Sequence, residues 1–163
     1  MYALVDWMES TWINGLVIGY PWTWAVLESL HFLGLCLLIG AMLIMDLRLI
    51  GFQRIIPVTA VHSLMPVAIV GFVINLVTGL GFLFGDPLTY LINPAFQIKM
   101  GLVLLAGLNF LLYYIRVDPL LARNAQAAAT PVLAKAVGAA SLAFWFGVLT
   151  YGRLLPYLGT GGG

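Results

Sequence analysis

A chain of 163 residues in which 63% are hydrophobic and 8% charged, with a mean hydropathy of +1.06, lies far from soluble composition, where about a quarter of residues carry charge. It reads as a polytopic membrane protein, and a net charge of +1 without any basic run leaves nothing to collect nucleic-acid phosphates. The single cysteine, Cys36, excludes a disulfide framework and a cysteine-based zinc site.

The first residues include Asp6 and Glu9 but neither Lys nor Arg. The cationic start of a cleavable signal peptide is missing, and the N-terminus is expected to stay on the mature chain. Residues 3–18 set Leu4, Val5, Met8, Trp12 and Leu16 opposite Asp6, Glu9, Ser10 and Asn14, which predicts one amphipathic helix lying in the membrane interface. Tyr2, Trp7, Trp12, Tyr20, Trp22 and Trp24 crowd this region, where amphipathic rings prefer the headgroup layer. Tyr20-Pro21 then turns the chain into the bilayer.

The first span is expected over 22–48, and the only ionisable side chains between Glu28 and Asp46 are His31 and Cys36. Glu28 and His31, three residues apart, share a helical face, and Asp46 returns near that face about five turns later. A charge near the bilayer centre costs about 2.5 to 3.5 kcal/mol even on insertion scales, so that face must look into protein. Arg48 and Arg54 flank the short loop that follows.

The second span is predicted over 58–84, begun by Pro57 and bent near Pro66, with Gly71, Asn75 and Thr78 on one face. Asn93 and Pro94 make an N-cap and first residue for a third span over 94–116, which carries Lys99, Ala106, Asn109 and Tyr113 and ends at Arg116. Asp118-Pro119 predicts a separate short helix to about residue 128. Thr130-Pro131 opens the fourth span, 131–155, where Ala139, Ala143 and Gly147 form a small-residue ridge suited to a homo-oligomer or membrane-complex partner. Residues 161–163 read as a disordered tail. The fold class is therefore all-α, a single transmembrane four-helix bundle with an N-terminal interfacial helix in contact with the lipid bilayer.

Arg48, Arg54, Arg116, Arg123 and Lys135 fall on one side of the predicted topology, against Lys99 and Arg153 on the other. Positive loops stay cytoplasmic, so both termini are expected on the extracytoplasmic, outer side. With span centres near Leu35, Phe72, Ala106 and Phe144, Glu28 and Lys99 both come out roughly 10 Å to the outer side of the midplane. His31 lies roughly 6 Å to that side, with Asn75 and Thr78 near it and Tyr151 and Arg153 farther out. These groups form an expected polar cluster in which Glu28 pairs with Lys99. His62 falls roughly 15 Å to the cytoplasmic side, too far from His31 for the two to share one haem, and is expected to hydrogen-bond at the interface. Met42 and Met45 are read as packing. No Ser/His/Asp set, Cys/His pair, phosphate loop or metal-ligand set occurs, and the leading expectation is a protein without catalytic residues.

The motifs L-E-S-L-H-F-L-G-L with D-L-R-L-I-G, H-S-L-M-P-V-A-I-V-G-F-V-I-N-L-V-T-G, and N-P-A-F-Q-I-K-M with L-A-G-L-N resemble a family of small bacterial inner-membrane proteins of unknown function. These are distantly similar to copper-resistance D-type membrane domains and their cytochrome b-like relatives. By this resemblance Glu28, His31, Asp46, Arg48, His62, Asn75, Thr78, Lys99 and Asn109 match signature positions, with Asp46, Arg48 and His62 on the cytoplasmic side. It implies an inner-membrane location with periplasmic termini, and the distant relatives imply haem or copper. Three functions follow as expectations. One is an accessory or small oligomeric membrane protein with a structural polar core. A second is a b-type haem or quinone electron-transfer protein with His31 as ligand. The third is a proton, ion or metal conductor using Glu28, His31 and Lys99.

Overall fold

The computed structural model of the chain describes residues 1–52, 57, 62–123 and 130–158, and among these every regular element is helical. The expected interfacial helix is divided in two, α1 (Tyr2–Glu9) and α2 (Trp12–Gly19). Thr11 makes the break: its hydroxyl accepts the Asn14 N–H at 3.4 Å, capping α2, and donates to the Met8 carbonyl at 2.6 Å. Asn14 is buried and donates its Nδ2 to the Phe84 carbonyl at 2.7 Å, while Trp7 meets the Phe84 ring edge-on. The two short helices thereby cap one end of the bundle.

α3 (Thr23–Ile50) is 28 residues long, about 42 Å at helical rise. It stops where Gly51 adopts φ 108°, a left-handed conformation that a side chain would strain, and where the Gly51 and Phe52 N–H groups bond back to Leu47. α4 (Met65–Gly85) has Pro66 in its first turn, where a missing N–H costs no helix bond. The expected bend at Pro66 is thus a helix start, and residues 58–61 lie outside the described residues. Asp86 accepts the Thr89 N–H and opens α5 (Pro87–Ile92). Asn93 repeats the pattern for α6 (Pro94–Leu112): its Oδ1 accepts the Ala95 N–H, and its Nδ2 donates to the Leu155 carbonyl, both at 2.9 Å. α6 passes through a π-helical turn (Tyr113–Val117) straight into α7 (Asp118–Arg123), so Asp118 continues the third span rather than opening a separate helix. α8 (Val132–Leu158) contains Pro156 near its end. The tail at 161–163 and Arg54 lie outside the described residues.

Four stretches are long and apolar enough to cross a membrane, Thr23–Ile50, Met65–Gly85, Pro94–Arg123 and Val132–Leu158, and the protein is an all-α four-helix bundle. Neighbours pack in the order α4, α3, α8, α6. Glycine sets the closeness of each crossing. A Cβ on Gly71 of α4 would lie 2.5 Å from the Leu38 backbone nitrogen of α3, and one on Gly138 of α8 would lie 3.0 Å from the Asp46 carbonyl. Gly147 of α8 receives Leu102 of α6, whereas Ala139 and Ala143 are exposed. At mid-height Leu38, Ala41 and Ala68 pack with Met42, Leu64 and Trp145. Leu49 of α3, Tyr113 and Val117 of the π-helical turn, and Ala134 and Val137 of α8 close the end far from α1 and α2. Towards the capped end α3 and α6 stand apart, with a cleft between them.

A cleft between two separated helices

The separation of α3 and α6 leaves a cleft of about 1070 Å³ at the capped end. α8 and α5 supply most of the rest of its lining, with Phe82 from α4. Its apolar walls come from Trp24, Phe32, Leu35, Ile39, Phe82 and Val148, and four charged side chains, Glu28, Lys99, Asp86 and Arg153, line it together with His31.

His31 is held by a neighbouring helix. Its Nδ1 lies 2.7 Å from the Thr78 hydroxyl, which in turn donates to the Ile74 carbonyl at 2.7 Å. With the Thr78 proton committed, the oxygen can only accept, so Nδ1 carries the imidazole proton and Nε2 keeps its lone pair. Phe82 packs edge-on against the ring, at 5.5 Å between centroids. The outcome is an oriented base on the cleft wall, the arrangement in which a histidine serves as hydrogen-bond acceptor or ligand.

Glu28 and Lys99 share the cleft, as their predicted heights suggest, but no N···O contact within 4.0 Å joins them. The reason is lateral: they stand on α3 and α6, which do not pack on each other along this stretch. Lys99 instead reaches α8, where a Cβ on Gly152 would sit 3.7 Å from Nζ. Pro156 has no N–H to give the Gly152 carbonyl four residues earlier, which leaves a backbone acceptor on the same wall. Arg153 lies over the Tyr157 ring at 5.9 Å. The remaining members of the expected cluster are placed differently. Thr78 stands behind His31, and Asn75 sits in the α3–α4 seam donating to the Gly71 carbonyl at 3.0 Å. Tyr151 is half-buried and does not line the cleft.

Asp86, Thr89 and Tyr90 line the cleft although the sequence predicts no element between the second and third spans, and Asn93, read from it as a cap alone, lines it too. The signal was present: Asp86-Pro87 has the same cap-and-proline form as Asn93-Pro94. Burial pushes the Tyr90 phenol up to about 12, helped by the negative charges of Asp86 and then Glu28, so at neutral pH it is a hydroxyl donor.

At the far end the polar groups form a second set. Asp46 is 2% exposed, accepts a hydrogen bond from Ser141 of α8, and has an Oδ2 without a partner. His62 Nδ1 lies 3.2 Å from the Tyr113 hydroxyl and 3.6 Å from Asp118 Oδ1. Arg48 is half-buried and engaged. Between the two sets runs a belt with no ionisable side chain: residues 37–45 of α3, 65–74 of α4, 100–108 of α6 and 142–149 of α8 are apolar or glycine, the Trp145 indole N–H being their one hydrogen-bonding side-chain group. It is about 12 Å deep. No group of three or more His, Cys, Asp or Glu among the described residues could hold a metal ion.

A family model described as a family of unknown function (DUF6644) matches residues 4–158. No curated protein and no solved structure matches the chain.

Proposed function

The chain belongs to this family, and from that premise we propose that it is an integral membrane protein that binds an amphipathic, quinone-like ring compound in the cleft between α3 and α6. The observation that carries this reading is His31, held through Nδ1 by Thr78 on the wall of a largely apolar cleft. Small-molecule sites are about 300–1,000 Å³, mostly apolar, with a few convergent polar groups, and this cleft is of that kind. A reduced quinol offers two hydroxyl donors, for His31 Nε2 and the Glu28 carboxylate. The oxidised ring offers carbonyl acceptors, for Lys99 and Arg153. Tyr90 donates to either. The excess of Arg and Lys at the far end, Arg48, Arg116, Arg123 and Lys135, supports a cytoplasmic position for that end and a cleft in the periplasmic half of a bacterial inner membrane. In this reading the protein is an accessory subunit that holds a lipid-soluble electron carrier.

The test is titration of the purified protein in lipid nanodiscs with a short-tailed benzoquinone, read by quenching of Trp24. Saturable quenching that weakens about tenfold or more in His31→Ala supports the proposal. Quenching that is non-saturable, or unchanged in His31→Ala, overturns it. One observation favours a second reading, b-type haem: an imidazole with a free Nε2 stands in one cleft with two cations able to face propionates. A Soret band lost in His31→Ala selects haem, and a colourless preparation removes it.

A further inference from the structure

The buried carboxyl of Asp46 is unrelated to the cleft, and the dry belt separates it from it. One oxygen is held by Ser141; the other, Oδ2, has no partner although the residue is 2% exposed. Leaving a buried polar atom unsatisfied is costly, about 1–3 kcal/mol or more for a charged group, and needs an explanation. Beside it lies a small cavity of about 20 Å³, lined by Asp46, Ser141, Asn109 and Tyr113 among methionines. One water needs roughly 10–15 Å³ of such space and two to four polar partners. Both conditions are met: Asn109 spends its Nδ2 on the Val137 carbonyl at 3.0 Å, leaving its Oδ1, and Tyr113 offers a hydroxyl.

Tyr113 also leads outward. Its hydroxyl lies 3.2 Å from His62 Nδ1, and His62 lies 3.6 Å from Asp118, their side chains being 44% and 42% exposed. The π-helical turn that begins at Tyr113 puts this residue both on the small cavity it shares with Asp46 and within reach of His62, which faces Asp118. The other described charged groups at this end are Arg48 farther along α3, Arg116 on the π turn, Arg123 at the end of α7 and Lys135 at the start of α8; Glu28, Lys99 and Arg153 of the same helices lie at the cleft end.

We propose that the small cavity holds one water bridging Asp46 Oδ2 to Tyr113, and that water, Tyr113 and His62 make the Asp46 carboxyl a proton-exchange site open to the aqueous phase at the far end. The transfer balances. His62 takes a proton from the aqueous phase at Nε2 and gives its Nδ1–H to the Tyr113 oxygen, Tyr113 gives its own to the water, and the water gives one to Oδ2 of the Asp46 carboxylate. One proton has passed from the aqueous phase to Asp46, His62 is left neutral as its other tautomer, and Tyr113 and the water are unchanged.

Infrared spectroscopy of the full chain in liposomes, moved from H2O to D2O, tests this. A carboxyl C=O band absent in Asp46→Asn is expected in the native protein, shifting rapidly on exchange. In Tyr113→Phe, which keeps the ring, the shift slows by about tenfold or more. Equal rates in the two proteins overturn the proposal, as does the lack of any band assignable to Asp46. Should Asp46→Asn fail to accumulate, Ser141→Ala serves for assignment: losing that hydrogen bond must move the band, and a stationary band counts against the site.

Discussion

Tyr90 shows at the scale of one residue what the cleft does to a polar group. Its phenol is neutral up to about 12 in the fold and about 10 when unfolded, so the native state keeps the proton longer. Stability from this group is complete below pH 10 and falls as pH rises through that window to about 12. Melting temperatures in detergent should therefore decline between these values, and the decline should shrink in Tyr90→Phe; an unchanged decline refutes the assignment. The heights of Glu28 and Lys99 were legible because helical rise is constant along a span. Their lateral separation was not, since a single sequence does not say which helices are neighbours. The His31–Thr78 bond, between residues 47 apart, was hidden for the same reason.

At the scale of the element, the helix crossings depend on glycine more than on large side chains. Gly71→Ala would drive a methyl into the α3 backbone, which cannot rotate away as a side chain could. We expect a loss of about 1–3 kcal/mol in reversible detergent denaturation, with helix content kept. Gly101→Ala, with nothing within 4 Å of its new Cβ, should be neutral or slightly stabilising. Equal stability of the two variants would remove the close crossing as a determinant of the fold. The span boundaries were legible from apolar length and from Asn93-Pro94. Pro66 misled because apolar residues precede and follow it, so composition cannot separate a proline that opens a helix from one that bends it. Thr11 misled because the amphipathic pattern runs across it without a change of face.

For the molecule as a whole, what matters is the spacing of polar groups along the membrane normal. The belt between the cleft and Asp46 offers a proton no ionisable side chain for about 12 Å. Liposomes containing the protein should thus acidify no faster than empty ones under an imposed potential, and a protein-dependent flux abolished by Glu28→Gln would restore the conductor reading. Four spans and a polar cluster near one face were legible because lipid tolerates few charges. The order α4, α3, α8, α6 was not, because every span is apolar nearly all round and its sequence does not mark which side meets protein. That open order has a consequence for any guest of the cleft. With α3 and α6 not packed on each other, a hydrocarbon-soluble guest would reach the cleft sideways, from the lipid tails. Its occupancy then follows its mole fraction in the bilayer, so adding inert lipid at constant guest would empty the cleft while adding water would not.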